Sequence, residues 1–253
     1  MTTLSGRLAY LLASVLALTG FGALADNHEP APQPALESFL CNYNPGKDRG
    51  DLNSATDYYL KQAEKAGINT PNAYLWSKVK GTGADMIWHN VYESVAAMAA
   101  QLDATGASSE MTDVLARYDT VADCMPMAGT VTAVHQTEGS DGGEGAFVAA
   151  YACRTDGAPD PMAMGDLNSH IGGVCGAIGE TAPIATYAIT PITTDRAGPH
   201  VVYFNIFESA SHWAALDAAL DGSAGGQMLV RHFTSMLQCD TNLWASEQIV
   251  GGN

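Results

Sequence analysis

Two strand-like segments of the chain each place one amide between two aromatic side chains. Side chains alternate between the two faces of a strand, so Trp88, Asn90 and Tyr92 fall on one face of the first segment. A buried amide without partners costs about 1–3 kcal/mol, so each Asn requires either a ligand or a structural hydrogen bond. A largely apolar lining with one polar group to orient a guest is typical of a small-molecule pocket. We therefore take both segments as ligand-binding candidates, the second consisting of Tyr203, Asn205 and Phe207.

The seven histidines add polar candidates but no metal-binding pattern. None forms His-x-His or His-x-x-x-His, and none has a Cys at the spacing of zinc ligands, so we expect no metal site. The sequence has no Gly-x-Ser-x-Gly, no phosphate loop and no dinucleotide fingerprint, so we expect no cofactor. His200 and His212 flank the second segment, and we include them as ligand-binding candidates. The catalytic residues, if there are any, remain unknown at this point.

Four acidic residues at repeated positions have two readings each. Glu93 and Glu208 end the two strand-like segments, where a carboxylate pair can work as acid and base. At the same place a negative charge also suits the N-terminus of the following helix. Asp51 and Asp166 lie in identical pentapeptides, as shared catalytic residues could, but we expect them to cap helices.

All these residues belong to an internal repeat. Residues 50–54 read Gly-Asp-Leu-Asn-Ser, and residues 165–169 repeat them at an offset of 165 − 50 = 115. Trp88 and Tyr203, and also Cys124 and Cys239, are related by the same offset. A repeat sets the unit that folds, so it precedes any prediction of the fold.

Each copy predicts the element order β-α-β-β-α-α-β, over residues 36–136 and 146–253. Residues 137–145 are Gly-rich and read as a flexible linker. The order is that of a ferredoxin-like unit, whose sheet has helices on one face only. Two copies can bury their free faces against each other. We predict an α+β fold in which two tandem ferredoxin-like βαββα(α)β repeats pack sheet to sheet as an intramolecular α/β barrel, and we expect a monomer.

The passage from the third strand of each copy into a short Ala-rich helix carries a family resemblance. Residues 88–102 and 203–216 each run from an apolar strand through Glu-Ser into that helix. In this the chain resembles the dimeric α+β barrel superfamily, which includes antibiotic-biosynthesis monooxygenase-like, EthD-like and stress-responsive barrel domains. Two chains usually pair in that superfamily, whereas here the duplication would supply both halves. The resemblance implies a pocket beside the sheet where an Asn and an aromatic orient the substrate and oxygen.

The cysteines follow the repeat. Cys41 and Cys153 come early in their copies, and Cys124 and Cys239 come late. Repeat symmetry favours the disulfides Cys41–Cys124 and Cys153–Cys239, and unpaired buried thiols are the alternative. Cys175 is left over, and we expect it to be a free, small buried hydrophobe.

The first residues read as a secretory signal peptide. Arg7 precedes an apolar run over residues 8–24, and Ala23-Leu24-Ala25 forms a small-x-small cleavage site. We expect cleavage after Ala25, a disordered lead-in over residues 26–35 and a periplasmic or secreted protein without a stable membrane anchor. The net charge is −16, and removing Arg7 leaves 10 basic and 27 acidic residues, or −17. Such a chain repels phosphate backbones, so we expect no nucleic-acid partner.

Two functions remain open from the sequence. The first is the binding of a small apolar or aromatic molecule in a pocket beside the sheet. The alternative is a cofactor-independent, monooxygenase-like enzyme that acts on an aromatic substrate. A difference in polar lining between the copies would favour an enzyme with one active half. The copies share their Asn but differ in their histidines, so the sequence does not decide.

We predict that the exported protein begins at Asp26. The reason is the Ala23-Leu24-Ala25 cleavage site. N-terminal sequencing of the protein from the extracytoplasmic fraction measures this. A protein that retains residues 8–24 would instead be membrane-anchored.

Overall fold

The computed structural model describes residues 32–137, 145–193 and 198–250. The expected signal peptide and most of the expected linker, residues 138–144, lie outside these ranges. In the first half, the strands are β1 (Ala35–Tyr43), β2 (Asn72–Lys80), β3 (Met86–Tyr92) and β4 (Ala122–Gln136). The helices of this half are α1 (Arg49–Ala66), α2 (Val95–Ala107) and α3 (Ser109–Val121).

The second half has the same order of elements. Its strands are β5 (Phe147–Arg154), β6 (Ala185–Thr193), β7 (Val201–Phe207) and β8 (Gln238–Val250). Its helices are α4 (Pro161–Ile178), α5 (Ala210–Gly222) and α6 (Ala224–Met236), and a 3-10 turn (Gly179–Thr181) follows α4. No helix in the described ranges has both the length and the apolar character needed to cross a membrane.

The strands form one closed barrel in the order β1-β3-β2-β8-β5-β7-β6-β4. Each half contributes a ferredoxin-like sheet, and the halves join where β2 pairs with β8 and β4 pairs with β6. All these pairings are antiparallel. The prediction of two tandem ferredoxin-like repeats that form an intramolecular barrel is confirmed. Closure pairs the strand edges that an open sheet would leave exposed.

The two faces of the barrel wall pack differently because side chains alternate along each strand. Inside the barrel, apolar side chains from both halves meet in one cluster that includes Trp76, Ile87 and Phe204. Outside, Met86 of β3 packs with Leu52 of α1, so the helices cover the outer face. Burial of these two apolar layers, at about 25 cal/mol per Å² of apolar surface, drives closure.

The predicted disulfides are confirmed. Cys41 of β1 lies directly opposite Cys124 of β4, with a Cα–Cα distance of 4.1 Å and a disulfide between them. Cys153 of β5 and Cys239 of β8 repeat this arrangement, with a Cα–Cα distance of 4.0 Å. Cys175 is free and buried, and burial raises the pKa of its thiol to about 11. Its role as a buried hydrophobe fits a thiol that stays protonated at neutral pH.

The expected capping roles of Asp51 and Asp166 were wrong. Asp48 caps α1 because its carboxylate accepts from the backbone N–H groups of Gly50 and Asp51. The side chain of Asp51 completes this capping box from the first turn. In the second copy, Asp160 caps α4 and Pro161 follows, so the helix begins before Asp166.

Serine hydroxyls cap the helices that follow β3 and β7. The hydroxyl of Ser94 accepts from the backbone N–H of Ala97 at the start of α2. The hydroxyl of Ser209 accepts from the backbone N–H of His212 at the start of α5.

We predict that each disulfide contributes a few kcal/mol to stability. The bridges close loops with sequence separations of 83 and 86 residues. The double variants Cys41→Ala/Cys124→Ala and Cys153→Ala/Cys239→Ala should each lose about 2–5 kcal/mol of unfolding free energy. Denaturant titration measures the loss, with Cys175→Ala as the matched single-thiol control. A loss below about 1 kcal/mol in either double variant would contradict the prediction.

Candidate functional site

A half-buried chain of hydrogen bonds runs along the outer face of the first half. Trp88 Nε1 donates to Asn90 Oδ1 at 2.7 Å, and Asn90 Nδ2 donates to Glu37 Oε2 at 3.0 Å. The Tyr92 hydroxyl donates to the same Glu37 oxygen at 3.2 Å. The structure therefore brings together the three candidates of the first segment around a carboxylate that the sequence had not indicated.

Strand register places this carboxylate. Glu37 of β1 pairs directly with Asn90 of β3, so the two side chains lie on the same outer face. Trp88 donates to the Asn90 oxygen and Glu37 accepts from the Asn90 nitrogen, which fixes the orientation of the amide. The amide is thus satisfied within the protein, and it binds the Glu37 carboxylate.

Aromatic side chains from two helices border the carboxylate. Tyr59 of α1 lies within electrostatic reach of Glu37, and burial together with the Glu37 charge raises the pKa of Tyr59 to about 12. Tyr118 of α3 packs edge-on against Trp88, with ring centroids 5.9 Å apart. The Tyr118 hydroxyl donates to Thr56 at 3.2 Å. Glu37, Tyr59 and Trp88 are all half-buried, so each of these side chains retains some contact with solvent between β3 and α1.

Burial controls the protonation of Glu37. Desolvation raises the pKa of this carboxyl above its ordinary value of 4.5, while the hydrogen bonds from Asn90 and Tyr92 oppose the rise. Both of those donors bind Oε2. Among the described residues, none donates a hydrogen bond to Oε1. Glu37 therefore has one oxygen held in place and one that can take a proton.

The second half lacks this constellation. Strand pairing makes Ala149 the equivalent of Glu37, because Ala149 pairs with Asn205 as Glu37 pairs with Asn90. Val174 stands at the offset position of Tyr59. Phe207 replaces Tyr92 and is fully buried. The acid and the two phenols of the first copy thus correspond to three apolar side chains in the second copy.

The second-half candidates have structural partners instead. Thr186 of β6 donates to Asn205 Oδ1 at 3.0 Å, and Tyr151 is also hydrogen-bonded to Asn205. The Tyr203 hydroxyl donates to Asn168 of α4 at 2.8 Å. Thr186 occupies the place that Ala73 has in the first half, since each pairs with the corresponding Asn. The shared Asn therefore sits in two different environments.

The two candidate histidines lie apart. His200 precedes β7, and its Nδ1 accepts from the backbone N–H of Thr155 at 3.1 Å. His212 lies beyond the other end of β7, where its ring packs edge-on against Phe207 and its Nε2 is 2.8 Å from the carbonyl oxygen of Ala182. His212 also lines a cavity of about 580 Å³. Within the described ranges, no three His, Cys, Asp or Glu residues are grouped as metal ligands.

Sequence reasoning missed Glu37 and Tyr59. Glu37 precedes Cys41 by four residues, and Ala149 precedes Cys153 by four. The signal was therefore a change from acid to alanine at matched positions of the first strands. Comparing the two copies position by position would have revealed it.

Comparison with known proteins adds fold-level similarity. No family model and no curated protein matches the sequence. A crystal structure from Fusobacterium nucleatum named "putative monooxygenase" is 11% identical, with a TM-score of 0.56 over 88% of this chain and 95% of that one. A protein of the same name from Lactobacillus acidophilus is 11% identical, with a TM-score of 0.53 over 87% of this chain and 99% of that one.

A third solved structure is named an anthrone oxidase-like protein. It is 11% identical to this chain, with a TM-score of 0.54 over 88% of this chain and 95% of the other. At such identities the similarity concerns the fold alone. The suspected resemblance is supported at that level: the chain has the fold of the dimeric α+β barrel proteins, closed within one polypeptide.

Proposed function

We propose that this protein is an enzyme that binds a small aromatic molecule in the cleft between β3 and α1 and removes a proton from it with Glu37. The proton loss prepares the substrate for oxidation by O₂ without a cofactor. The observation that supports this most is the Glu37 carboxylate, held on one oxygen by Asn90 and Tyr92 and free on the other. This is the alternative that the sequence left beside simple binding.

A general base needs a pKa closer to the working pH than that of a surface carboxylate. Burial raises the pKa of Glu37 and so makes it a stronger base than an exposed Glu. The two donors on Oε2 fix the carboxylate without using Oε1. The proton acceptor is therefore oriented before the substrate arrives, which reduces the entropy cost of the reaction.

The walls of the cleft suit a flat aromatic guest. Tyr59, Trp88 and Tyr118 are half-buried and lie around the carboxylate and its Asn. Aromatic rings pack in offset or edge-to-face geometry and contribute about 0.5–1.5 kcal/mol per pair beyond area burial. The raised pKa values of Tyr59 and Tyr118 keep both phenols neutral at physiological pH, where they act as hydrogen-bond donors.

Anthrone is a suitable test substrate, because one structural neighbour is named anthrone oxidase-like. Glu37 would take a proton from the ring methylene, and the resulting carbanion would add to O₂ to give a peroxide. The peroxide takes up a proton, the second methylene hydrogen leaves as a proton, the O–O bond breaks and water departs. The balance is one anthrone plus one O₂ giving one anthraquinone plus one water. The carbanion donates the electrons and O₂ accepts them, so the reaction needs no bound redox group.

The asymmetry between the halves also favours an enzyme. A purely structural duplication would keep both clefts alike, yet Ala149, Val174 and Phe207 replace the acid and both phenols in the second half. We therefore propose a single active cleft, in the first half. The two disulfides are compatible with an extracellular location, and we propose that the protein acts outside the cytoplasm.

We predict that Glu37→Gln lowers anthrone-dependent O₂ consumption by about 10²–10⁴-fold, because the amide keeps the shape but cannot take the proton. Since the pKa of Glu37 is raised, protonation removes the base as pH falls. The wild-type rate should therefore decline on the acid side with a midpoint above 4.5. Oxygen-electrode assays across pH, corrected for spontaneous oxidation, measure both effects.

The matched control is Glu93→Gln, which alters an exposed carboxylate just beyond β3. It should leave the rate and its pH profile unchanged. If anthrone binds to the wild type but is not turned over, the protein is a binding protein and the proposed catalysis is wrong. Equal activity of the Glu37→Gln and Glu93→Gln variants would also reject Glu37 as the base.

We predict that the two Asn residues respond differently to substitution. Asn90→Ala removes a donor that holds Glu37, so kcat should fall at least 10-fold, converted from about 1.4 kcal/mol for a charge-assisted hydrogen bond. Asn205→Ala removes a partner of Thr186 and Tyr151, so it should lower unfolding free energy by about 1–3 kcal/mol and leave kcat unchanged. Thermal melts beside steady-state kinetics compare the variants. A larger loss of kcat in the Asn205 variant would place the site in the second half.

A further inference from the structure

A cavity of about 290 Å³ lies inside the barrel, on the opposite face of the wall from the Glu37 cleft. Both halves line it, and most of its walls are apolar or aromatic. The side chains that matter below are Tyr74, Trp76, His89, Val131, Tyr187 and Phe204. A largely apolar cavity of this size with a few polar groups is typical of a small-molecule site.

One polar side chain in the wall has an unused hydrogen-bonding atom. His89 is 2% exposed, and its Nδ1 lies 2.8 Å from Ser38 Oγ. Its Nε2 is buried and has no hydrogen-bond partner. Buried polar atoms are nearly always paired, and an unpaired one costs about 1–3 kcal/mol. His89 belongs to the lining of the cavity, and a partner for Nε2 would enter from there once the neighbouring ring of Trp76 shifts.

The hydrogen bond between Ser38 and His89 indicates which kind of partner Nε2 requires. The Ser38 hydroxyl is buried, and within the described residues its one hydrogen-bond partner is His89. The hydroxyl hydrogen is satisfied only when Ser38 donates to Nδ1, which places the ring hydrogen on Nε2. Burial also lowers the pKa of His89 to about 3, so the ring is neutral and carries that single hydrogen. Nε2–H is therefore a donor that lacks an acceptor.

The surroundings of His89 favour a flat aromatic molecule. Trp76 packs edge-on against His89 and Phe204, with ring centroids 4.2 and 4.6 Å apart. Tyr74 and Tyr187 provide further ring surface in the cavity wall. The volume is nearly twice that of a cavity of about 150 Å³ that accommodates benzene. Two or three fused rings would therefore fit.

We propose that the barrel interior is a second ligand site, which binds a small fused-ring aromatic ketone or quinone with its carbonyl oxygen accepting a hydrogen bond from His89 Nε2. Pro34 and Asn72 line the same cavity and are exposed, so one end of it reaches the surface and provides an entrance. The site does not depend on the proposed reaction at Glu37.

Only the first of the two copies contributes a histidine at this position of the cavity wall. Phe204 is the repeat equivalent of His89, and the two rings lie 5.5 Å apart at their centroids. A ligand would thus meet one hydrogen-bond donor and, next to it, an aromatic face. A molecule with one carbonyl among fused rings matches this arrangement better than a hydrocarbon of the same shape.

Fluorenone and fluorene form a suitable probe pair, since they share a fused-ring shape and differ by the carbonyl oxygen. Fluorescence or calorimetric titration of the full exported chain should show tighter binding of fluorenone. His89→Phe copies the second-half residue and should weaken fluorenone binding roughly 3- to 10-fold, as expected for one net hydrogen bond, while fluorene binding stays within about 2-fold. Val131→Trp, which fills the cavity next to the entrance, should abolish binding of both probes.

Glu93→Gln, at an exposed carboxylate outside the barrel interior, is the control and should leave fluorenone affinity unchanged. A melting curve for each variant verifies folding. If His89→Phe does not fold, ¹⁵N spectra of wild-type His89 provide the second test, because fluorenone but not fluorene should shift its Nε2 resonance. The proposal is overturned if neither probe binds the wild type, if the fluorenone preference survives in His89→Phe, or if Val131→Trp binds normally.

Discussion

The structure depends on the pairing of the two halves along two seams, β2 with β8 and β4 with β6. A single ferredoxin-like sheet has a helix-free face that must be buried. The seams bury both such faces at once and convert them into the barrel interior, while the outer faces remain under the helices. They also pair strand edges that would otherwise promote aggregation. One disulfide links β1 to β4, and the other links β5 to β8. Because β4 and β8 each form one of the seams, the disulfides reinforce the strands that join the halves.

Closure turns the two faces of the wall into two chemically distinct environments, and the strand period of two assigns residues to them. Glu37 and Asn90 form one pair between β1 and β3, and Ser38 and His89 form the next. The first pair lies under the helices and contains the Glu37 carboxylate. The second pair faces the interior and contains the neutral His89 ring. A register slip of one residue would exchange the two environments and bury the carboxylate in the barrel. The hydrophobic residues that fix the register therefore also protect the chemistry of both sites.

The sequence predicted the repeat architecture and the disulfides because both depend on matched positions along the chain. It also identified the Trp88, Asn90 and Tyr92 face, since alternation within one strand is a local property. Glu37 escaped because its contact with Asn90 arises from pairing between strands 53 residues apart, which no local pattern encodes. Asn90 and Asn205 looked equivalent, yet the exchange of Ala73 for Thr186 on the neighbouring strand gives the second Asn a structural partner. The spacing of the histidines indicated no metal site, so His89 did not stand out in the sequence. Its burial beside a cavity follows only from the closed barrel.

The two halves that form this barrel are parts of one polypeptide, and this changes what a single mutation can do. In a barrel built from two identical chains, any substitution appears twice, at symmetry-related places. A histidine facing the interior would meet a second histidine there, and an acid in one cleft would appear in both. Here His89 faces Phe204, and Glu37 corresponds to Ala149. An internal repeat thus lets each copy change by itself, so that one half can specialise while the other retains the packing that keeps the barrel closed.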